Sequence, residues 1–398
     1  MDKLKVGVLG LRRGFTHFRN FLALDNVELI GAADRFEEVR ERAGKHAESV
    51  GKSPALVAEY DDLLAMKPDA VMIASNGRLQ AEHSCRALEA GCHVLSEVPG
   101  AFTHEEFVRI RATAELSGKQ YMMAENACYW DFLRYWRKWV ADGQFGGISI
   151  GEAEYLHYLP HTLVAPDGSS IKPSQAAAEG LTDLPWSWRA DQPPIQYLTH
   201  DLGPLLEVLD DRAVSVTCRS APWRSKEAPH RSDGQIALFT TEKGALLKVM
   251  VTLNTRRPEE HRYRLFGAEG SVEWFRYEGF SRRFTKDAEQ GSGWENVPIG
   301  FAASDQDSTA GHGGADLKMA ASFADAILEG KTVPIDIYRS IEYSLPGIMA
   351  ARSADLGGQP VEIPDMRRTP FESTIFWDAV GLPERDPETT PYKGPNEH

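Results

Sequence analysis

Short apolar segments alternate with amphipathic segments along the first third of the chain. Five apolar segments are typical of buried strands: residues 4–9, 27–33, 70–74, 93–95 and 121–124. Between them, apolar residues recur at helical spacing over residues 15–23, 36–46, 79–90 and 104–116. Strands that alternate with helices in this way indicate a parallel, doubly wound sheet. We therefore predict an α/β domain over residues 1–128.

The pattern changes beyond residue 128. Helical spacing recurs over residues 129–141, 196–209, 315–329 and 337–354, and the alternation typical of strands over 148–159, 213–219, 235–241, 245–253, 263–267 and 271–275. Strands that follow one another without helices predict a mostly antiparallel sheet with one open face. Residues 160–194 are rich in Pro, Ser, Gly and Asp and predict a long loop, which in a compact domain usually has a function. We assign residues 129–398 to a second, α+β domain for substrate binding and oligomerisation, with a Pro-rich tail that wraps the surface.

Composition and charge exclude several classes of protein. A chain of 398 residues suits two domains, and 42% hydrophobic with 26% charged residues is a globular balance. The formal net charge of -14 argues against binding to nucleic acid or to an anionic membrane. No apolar run reaches the ~18 residues of a membrane span, and the first residues show no signal peptide. The four cysteines lack metal-binding spacing, so we expect a cytoplasmic protein with free thiols.

The turn after the first predicted strand has the composition of a dinucleotide-binding loop. Gly10 and Gly14 flank Arg12 and Arg13 where the first predicted helix begins. Glycines at such a turn let main-chain amides and a helix N-terminus approach a diphosphate. The match to G-x-G-x-x-G is imperfect, because Arg12 holds the second glycine position and Gly14 comes one residue early. The location between a strand and a helix nevertheless predicts a Rossmann-type cofactor site.

An acidic residue ends the second predicted strand. Asp34 follows Gly10 at the spacing of the residue that accepts hydrogen bonds from the adenosine ribose, although it could also cap the next helix. Asp34 favours NAD as the cofactor. Arg12, Arg13 and Arg35 could instead hold the 2′-phosphate of NADP, so that cofactor stays an alternative.

Several motifs in the first 130 residues form a specific set. They are AVMIASN at residues 70–76, His83, and ALEAGCHVLSEVP at residues 87–99. Together they resemble the glucose–fructose oxidoreductase/inositol dehydrogenase (Gfo/Idh/MocA) family. The resemblance implies a Rossmann domain, a mixed-sheet domain, and a nicotinamide above the Glu-x-Pro turn, with sheets that pair to form a homodimer or homotetramer. It places five residues at the cofactor: Ser75, Asn76, His83, Glu97 and Asn126.

The middle residue of the Glu-x-Pro turn departs from the dehydrogenases of this family. Those enzymes usually carry a lysine that handles the hydroxyl proton, whereas this chain has Val98. Residues 97–99, 124–129, 154–157, 188–189, 197–204 and 311–316 resemble one branch, the NAD-dependent glycosidases of the alpha-N-acetylgalactosaminidase type. In that branch NAD+ stays bound while a sugar hydroxyl is transiently oxidised, the aglycone is eliminated and the hydride returns. The resemblance places five residues around the sugar: Glu125, Tyr155, Arg189, Tyr197 and His200.

These side chains suit hydride chemistry at a secondary alcohol. Loss of hydride requires a base for the hydroxyl proton, and histidine titrates near neutral pH, so His200 is the leading candidate. Tyr197 precedes it by three residues on the same predicted helix face, and Tyr155 and His157 share one face of a strand. Arg189 can bind two hydroxyls or a carboxylate. Each of these residues also has a structural alternative, as a core aromatic, a helix cap or half of a surface ion pair.

A glycine-rich segment, GHGGAD at residues 311–316, precedes a predicted helix. Its glycines allow the backbone to approach a ligand and the helix N-terminus adds a positive end, so we predict His312 at the substrate site; a plain turn is the alternative. His157, His161, His200 and His312 could suggest a metal, but they lack the spacing typical of metal ligands. We predict no metal site.

The sequence thus predicts an NAD(P)-dependent oxidoreductase acting on a hydroxyl of a sugar, glycoside or cyclitol. Catalysis is assigned to His200, Tyr197 and Tyr155, and substrate binding to Glu125, His157, Arg189 and His312. Two alternatives remain: a glycosidase or lyase that uses tightly bound NAD+ in a transient oxidation–elimination, and a dinucleotide-binding protein without turnover. Val98 favours both alternatives over net dehydrogenation, because a valine cannot transfer a proton.

Overall fold

Two β-sheets organise the chain. The computed structural model describes residues 3–228, 231–276, 278, 280–285, 293–298 and 311–367. The first sheet contains β1 (Leu4–Leu9), β2 (Val27–Ala33), β3 (Ala55–Val57), β4 (Ala70–Ile73), β5 (His93–Ser96) and β6 (Tyr121–Met123), all parallel. Their order is β3-β2-β1-β4-β5-β6, so the doubly wound sheet is confirmed. The order reverses at β1, which opens a crevice at the carboxyl ends of β1 and β4.

Five helices connect these strands and pack onto the sheet or onto one another. They are α1 (Gly14–Ala23), α2 (Glu37–Ser49), α3 (Tyr60–Ala65), α4 (Gln80–Glu89) and α5 (His104–Ser117). The residues of β4 are completely buried, as expected where helices cover both faces of a parallel sheet. Helix α5 begins at a capping box, in which Thr103 Oγ1 accepts from the Glu106 amide and the Glu106 carboxylate accepts from the Thr103 amide.

The second sheet contains nine strands in the order β16-β15-β14-β13-β7-β12-β11-β10-β17. The strands of this half, in chain order, are β7 (Ile148–Leu156), β8 (Leu163–Val164), β9 (Ser170–Ile171), β10 (Ala213–Ser220), β11 (Gly234–Thr241), β12 (Leu246–Thr252), β13 (Glu260–Gly267), β14 (Gly270–Phe275), β15 (Ser281–Thr285), β16 (Glu295–Val297) and β17 (Val361–Glu362). Strands β7 and β12 are parallel and the other neighbours antiparallel, which confirms the mostly antiparallel sheet.

Five further helices accompany this sheet: α6 (Asp131–Ala141), α7 (Pro173–Ala178), α8 (Thr199–Leu209), α9 (Ala315–Leu328) and α10 (Ile337–Asp355). Helix α8 packs on β7 and α10 on β10, whereas alternate residues of β11 on the other face stay exposed. Helix α9 packs back onto α1 and β1, so the last helices join both sheets. The Pro-rich tail was predicted from Pro360 onward; its first residues include β17, and the part beyond residue 367 lies outside the described residues. Among the described helices, none combines the length and the apolar character that a bilayer span requires.

Residues 158–194 are here called the arm, and residues 160–194 of it were predicted to be a long loop. The arm instead contains the β8–β9 pair and α7, packed around Leu163, Ile171 and Ala176. These elements are only two to six residues long. The arm leaves the end of β7, which carries Tyr155, and returns just before α8, which carries His200.

Candidate functional site

Two glycines shape the crevice at the end of β1. Gly10 has a φ of +86°, and a Cβ atom there would lie 2.4 Å from the carbonyl oxygen of Ala74. A Cβ atom at Gly14 would lie 2.9 Å from that of Ala74, so α1 begins in close contact with the end of β4. Close helix–strand packing is the role of the last glycine in the dinucleotide fingerprint. Gly14 therefore has this role despite its shifted position in the motif.

Asp34 is held at the end of β2 by two main-chain amides. Its Oδ2 accepts a hydrogen bond from Leu11 N at 2.8 Å, and its Oδ1 accepts one from Phe36 N at 3.0 Å. A carboxylate oxygen has about two acceptor positions, so each oxygen retains one for a ribose hydroxyl. The geometry fits the adenosine ribose of a dinucleotide.

The adenosine end of the crevice is basic and partly covered by the arm. The guanidinium groups of Arg12 and Arg35 lie 4.9 Å and 4.8 Å from the centre of the Phe36 ring. Gly168, from the arm, packs so closely that a Cβ atom would lie 2.6 Å from Arg12 and 2.7 Å from Phe36. The arm therefore closes this end of the crevice.

Three predicted cofactor residues follow β4. Ser75 Oγ and His83 Nδ1 are 2.8 Å apart, and Asn76 Oδ1 accepts a hydrogen bond from Arg78 N at 3.1 Å. Burial lowers the pKa of His83, which favours its neutral form. Arg78 is ion-paired with Asp191 of the arm. The arm is therefore also fastened beside the second half of the cofactor crevice.

Glu97, at the Glu-x-Pro turn, is paired with Arg13, which precedes α1, and with His17 in α1. Its Oε1 lies 2.8 Å from Arg13 Nε and 2.6 Å from His17 Nε2. Burial alone would raise the pKa of Glu97, but Arg13 and His17 outweigh it and lower that pKa to about 2. Glu97 is therefore ionised at neutral pH and cannot be the proton-transferring group that Val98 lacks.

Asp316, at the start of α9, completes this network. Arg13 donates to both of its carboxylate oxygens at 2.9 Å, Asn126 Nδ2 donates to Oδ1 at 2.8 Å, and His312 Nδ1 lies 3.0 Å from Oδ2. Burial opposes ionisation, yet the contacts with His312 and Arg13 hold the pKa of Asp316 well below its usual range. Three predicted site residues, Arg13, Asn126 and His312, thus meet at a carboxylate that the sequence prediction did not select.

His200 is paired with a buried carboxylate. His200 Nδ1 and Glu125 Oε1 are 2.7 Å apart, and the same Glu125 oxygen accepts from Ala127 N at 3.0 Å. A carboxylate accepts hydrogen bonds, so Nδ1 is the ring nitrogen that donates in this pair, and Nε2 is the ring nitrogen left to interact with a substrate. Tyr263 donates to the carbonyl oxygen of His200 and fixes the start of α8. The arrangement is that of an oriented general base.

Aromatic rings pack tightly around His200. The Tyr155 ring stacks on His157 at 4.0 Å and lies parallel to His200 at 5.4 Å, with Tyr197 5.3 Å away. Burial raises the pKa of Tyr155 well above its usual range, so its hydroxyl stays protonated. Burial, with the charges of His200, Arg276 and His312, lowers the pKa of His157 to about 3. His157 is therefore neutral at neutral pH.

Arg189 links this cluster to the arm. Its guanidinium lies 4.7 Å from the centre of the Trp188 ring and donates to Tyr197 Oη at 3.2 Å. Trp188 in turn lies 5.6 Å from the Phe102 ring, just after the Glu-x-Pro turn. Arg189 also interacts electrostatically with Glu97, and Tyr197 with Arg13. The cofactor crevice and the His200 cluster are therefore contiguous.

The sequence prediction missed four residues of this region: His17, Arg231, His261 and Asp316. His261 Nε2 lies 3.2 Å from His157 Nε2, on the buried face of β13. Its signal in the sequence was a histidine alternating with charged residues along a strand.

His161, by contrast, is exposed on the arm near Lys172 and Glu227, apart from the other histidines. Within the described ranges, no three His, Cys, Asp or Glu side chains form a group that could hold a metal.

Comparison with known proteins supports both halves of this description. Residues 4–125 match the model of an oxidoreductase family with an NAD-binding Rossmann fold, and residues 224–373 match the model of a glycosyl hydrolase 109 C-terminal domain. Glycosyl hydrolase family 109 protein 2 of Akkermansia muciniphila is 27% identical over 415 residues, which cover 94% of this chain and 85% of the relative.

Solved structures share the whole fold at low sequence identity. An oxidoreductase domain protein from Kribbella flavida has a TM-score of 0.74 and 20% identity, covering 92% of this chain and 100% of that chain. An inositol dehydrogenase homologue from Azotobacter vinelandii, solved with NADH and myo-inositol, has a TM-score of 0.69 and 20% identity, covering 91% of this chain and 98% of that chain.

Proposed function

We propose that this chain is an NAD-dependent enzyme that cleaves glycosides without net oxidation, because residues 4–125 match an NAD-binding oxidoreductase family and residues 224–373 match a glycosyl hydrolase 109 C-terminal domain. The observation that carries this proposal is the oriented pair of His200 and Glu125. Tyr197 and Arg189 connect this pair to the Glu97 turn, where the nicotinamide is expected. Net dehydrogenation of a sugar or cyclitol, the preferred prediction from the sequence, is the second candidate.

The crevice fits NAD. Gly10 permits close approach of the backbone, and the oxygens of Asp34 have capacity for ribose hydroxyls. When bound, NAD+ supplies a hydride acceptor for a carbinol carbon of the sugar. Arg12 and Arg35 both stack on Phe36, and the carboxylate of Asp34 beside them would repel a 2′-phosphate.

His200 is proposed as the base for the sugar hydroxyl. Glu125 holds its ring and stabilises the imidazolium that forms when Nε2 takes the proton. Tyr155, whose hydroxyl stays protonated, is placed to donate a hydrogen bond to the substrate beside His200, and Arg189 with Tyr197 is placed to orient the ring. His312 contacts the network of Arg13 and Asp316, so it is proposed to connect the two sites.

Glycoside cleavage is favoured over net dehydrogenation by two observations. Val98 is 5% exposed and offers no proton donor or acceptor at the turn where the dehydrogenases of the family carry lysine. The C-terminal half also matches the glycosyl hydrolase 109 domain. His200 with Glu125 is proposed to take the hydroxyl proton during the oxidation and to return it at the end. Elimination further requires an acceptor for the neighbouring C–H proton and a donor for the aglycone oxygen, and the neutral His157 and the protonated Tyr155 are proposed for these two steps.

The test follows aglycone release and NADH together on a panel of nitrophenyl glycosides. We expect aglycone release without net NADH, and we expect His200→Ala to lower kcat by about 100-fold or more with NAD binding unchanged. His161→Ala is the matched control, because that histidine is exposed on the arm. Net NADH formation would instead establish a dehydrogenase. NAD binding with neither product would indicate a protein without turnover, and an unchanged kcat in His200→Ala would remove His200 from the reaction.

A further inference from the structure

Other charged side chains at the site form ion pairs, whereas Arg189 donates to a tyrosine hydroxyl. Glu97 and Asp316 are paired with Arg13, and Glu125 with His200. The hydrogen bond that Arg189 donates within the described residues goes to a neutral phenol, Tyr197 Oη. Its Nε is buried and has no hydrogen-bond partner. A guanidinium in this state can bind an anionic group at low cost, because no internal ion pair has to break first.

A second guanidinium lies directly behind Arg189. Arg231 is 2% exposed, and its Nη1 donates to the carbonyl oxygen of Arg189 at 2.7 Å. Its Nη2 donates to the carbonyl oxygen of Leu159 at 3.0 Å and to the side chain of Asn254. These acceptors are uncharged. Arg231 therefore fixes the backbone of Arg189 and adds a second positive charge on the same side of the cleft.

The orientation of Arg189 is also set by its neighbours. Its guanidinium lies over Trp188 at 4.7 Å, which holds the planar group in place. Such a group binds a carboxylate or a sulfate with two parallel hydrogen bonds, and an Nε with no partner completes the required pair of donors. Glu97, the carboxylate that interacts electrostatically with Arg189, is already paired with Arg13 and His17, so a neutral sugar hydroxyl would leave Arg189 without an ion-pair partner of its own.

We infer that the sugar bound beside His200 is acidic, and that Arg189 binds its carboxylate or sulfate group. This inference rests on the proposed function, since it specifies the substrate class of the same site. It requires that the acidic group be within reach of Arg189 while the oxidised carbinol faces His200. A sugar ring with a carboxylate or sulfate beyond the reacting hydroxyl meets that requirement.

The experiment compares matched acidic and neutral sugars on the NAD-loaded protein by isothermal titration calorimetry. The probes are methyl glucuronide against methyl glucoside, methyl galacturonide against methyl galactoside, and a sulfated galactoside against the same neutral galactoside. We expect at least one acidic probe to bind about tenfold more tightly than its neutral partner, the size of effect of a charge-assisted hydrogen bond. The carboxylate and sulfate probes separate the two anion types.

Variants then test whether Arg189 causes the preference for acidic probes. In Arg189→Gln, the ratio of affinities for the acidic and the neutral probe should fall to about twofold or less. Arg189→Lys keeps the charge and should retain part of this preference. Arg86→Gln, which removes a guanidinium from a surface ion pair with Asp61, should leave it unchanged. The affinity of each variant for NAD reports whether the fold is intact.

Three outcomes would overturn the inference: equal or tighter binding of the neutral probes, no binding of any acidic probe, or an acid preference that survives in Arg189→Gln. Aglycone release on the same panel is scored separately. Turnover of neutral glycosides with no acid preference would uphold the proposed function and reject the acidic substrate. Acid-selective binding without hydride chemistry would uphold the anion site and reject the proposed function.

Discussion

Asp201 follows His200 directly in helix α8, and its carboxyl group is completely buried. Neither of its oxygens has a hydrogen-bond partner. Burial, together with the nearby Glu125 and Glu154, raises the pKa of Asp201 well above its usual range. This shift favours the neutral form of the side chain, next to the residue that is proposed to act as base.

Replacing this carboxyl group should change how stability depends on pH. In the unfolded chain Asp201 ionises at about pH 4, whereas the raised pKa in the folded chain keeps it protonated to higher pH. Its contribution to stability is therefore complete below the unfolded pKa and falls as pH rises toward the folded pKa, by up to about 1.4 kcal/mol per pH unit. Asp201→Asn removes this loss. The melting temperature of the variant, relative to the unmodified protein, should rise between pH 5 and pH 8, and a constant difference would contradict the burial argument.

The sequence suggested residues for the candidate site but not the contacts between them. His200, Tyr197, Tyr155, Glu125 and Arg189 were all selected from the sequence, and the structure brings them together. The role of Glu125 in holding His200 could not be predicted, because the two residues are 75 positions apart and meet only when α8 packs beside the turn that follows β6. Long-range ion pairs of this kind leave no local pattern.

At the scale of elements, the arm is the feature with most bearing on function. Gly168 contacts Arg12 and Phe36 at the adenosine end of the crevice, while Asp191 is paired with Arg78 beyond the end of β4. The arm therefore touches the Rossmann domain at two separated points. A dinucleotide bound in the crevice would lie between these points, and its release would require the arm to move.

Gly168→Ala tests whether the arm retains the cofactor. The new Cβ atom would lie 2.6 Å from Arg12 and 2.7 Å from Phe36, so the tip of the arm has to lift. Overpacking of this kind costs about 1–3 kcal/mol, and we expect NADH to dissociate about tenfold faster in stopped-flow fluorescence.

Gly180→Ala is the matched control for this experiment. Gly180 also lies in the arm and has a positive φ of 69°, but a Cβ atom there meets nothing within 4 Å. It shares the backbone strain and lacks the clash. Equal dissociation rates in the two variants would show that the arm does not hold the cofactor.

The elements that the sequence failed to predict are short. Strand β3 has three residues, α3 has six, and β8 and β9 have two each. Periodicity needs several residues to be visible, and such short elements are stabilised by their neighbours rather than by their own pattern. The long helices and central strands were predicted because each has a complete hydrophobic face.

At the scale of the whole molecule, the two sheets are joined by shared helices and by one ion-pair network. Arg13 at the start of α1 binds Glu97 within the Rossmann domain and Asp316 at the start of α9. A hydrophobic core also runs continuously through both sheets. The cofactor crevice and the His200 cluster are therefore parts of one packed unit, which fixes the distance between them.

The outer face of the second sheet carries an apolar patch. Ile236 and Leu238 on β11, Leu246 on β12 and Ile150 on β7 are each 42–46% exposed, and Leu246 pairs directly with Ile150. Contiguous apolar side chains on an open sheet usually mark an interface. A sheet face that packs against the same face of a second copy forms a two-fold, self-complementary contact, so we expect this patch to mediate self-association.

Charge introduced into this patch should dissociate the assembly. We expect light scattering to give a multiple of the 44.2 kDa chain mass for the unmodified protein and a mass near one chain for the double variant Ile236→Glu/Leu238→Glu, because burying two unpaired carboxylates opposes association. Leu116→Glu is the control, since Leu116 is 86% exposed on α5, far from the sheet in sequence. If the double variant kept its assembly, the interface would lie elsewhere. If the unmodified protein were a monomer, the four side chains would have to be covered by another part of the chain or remain in water.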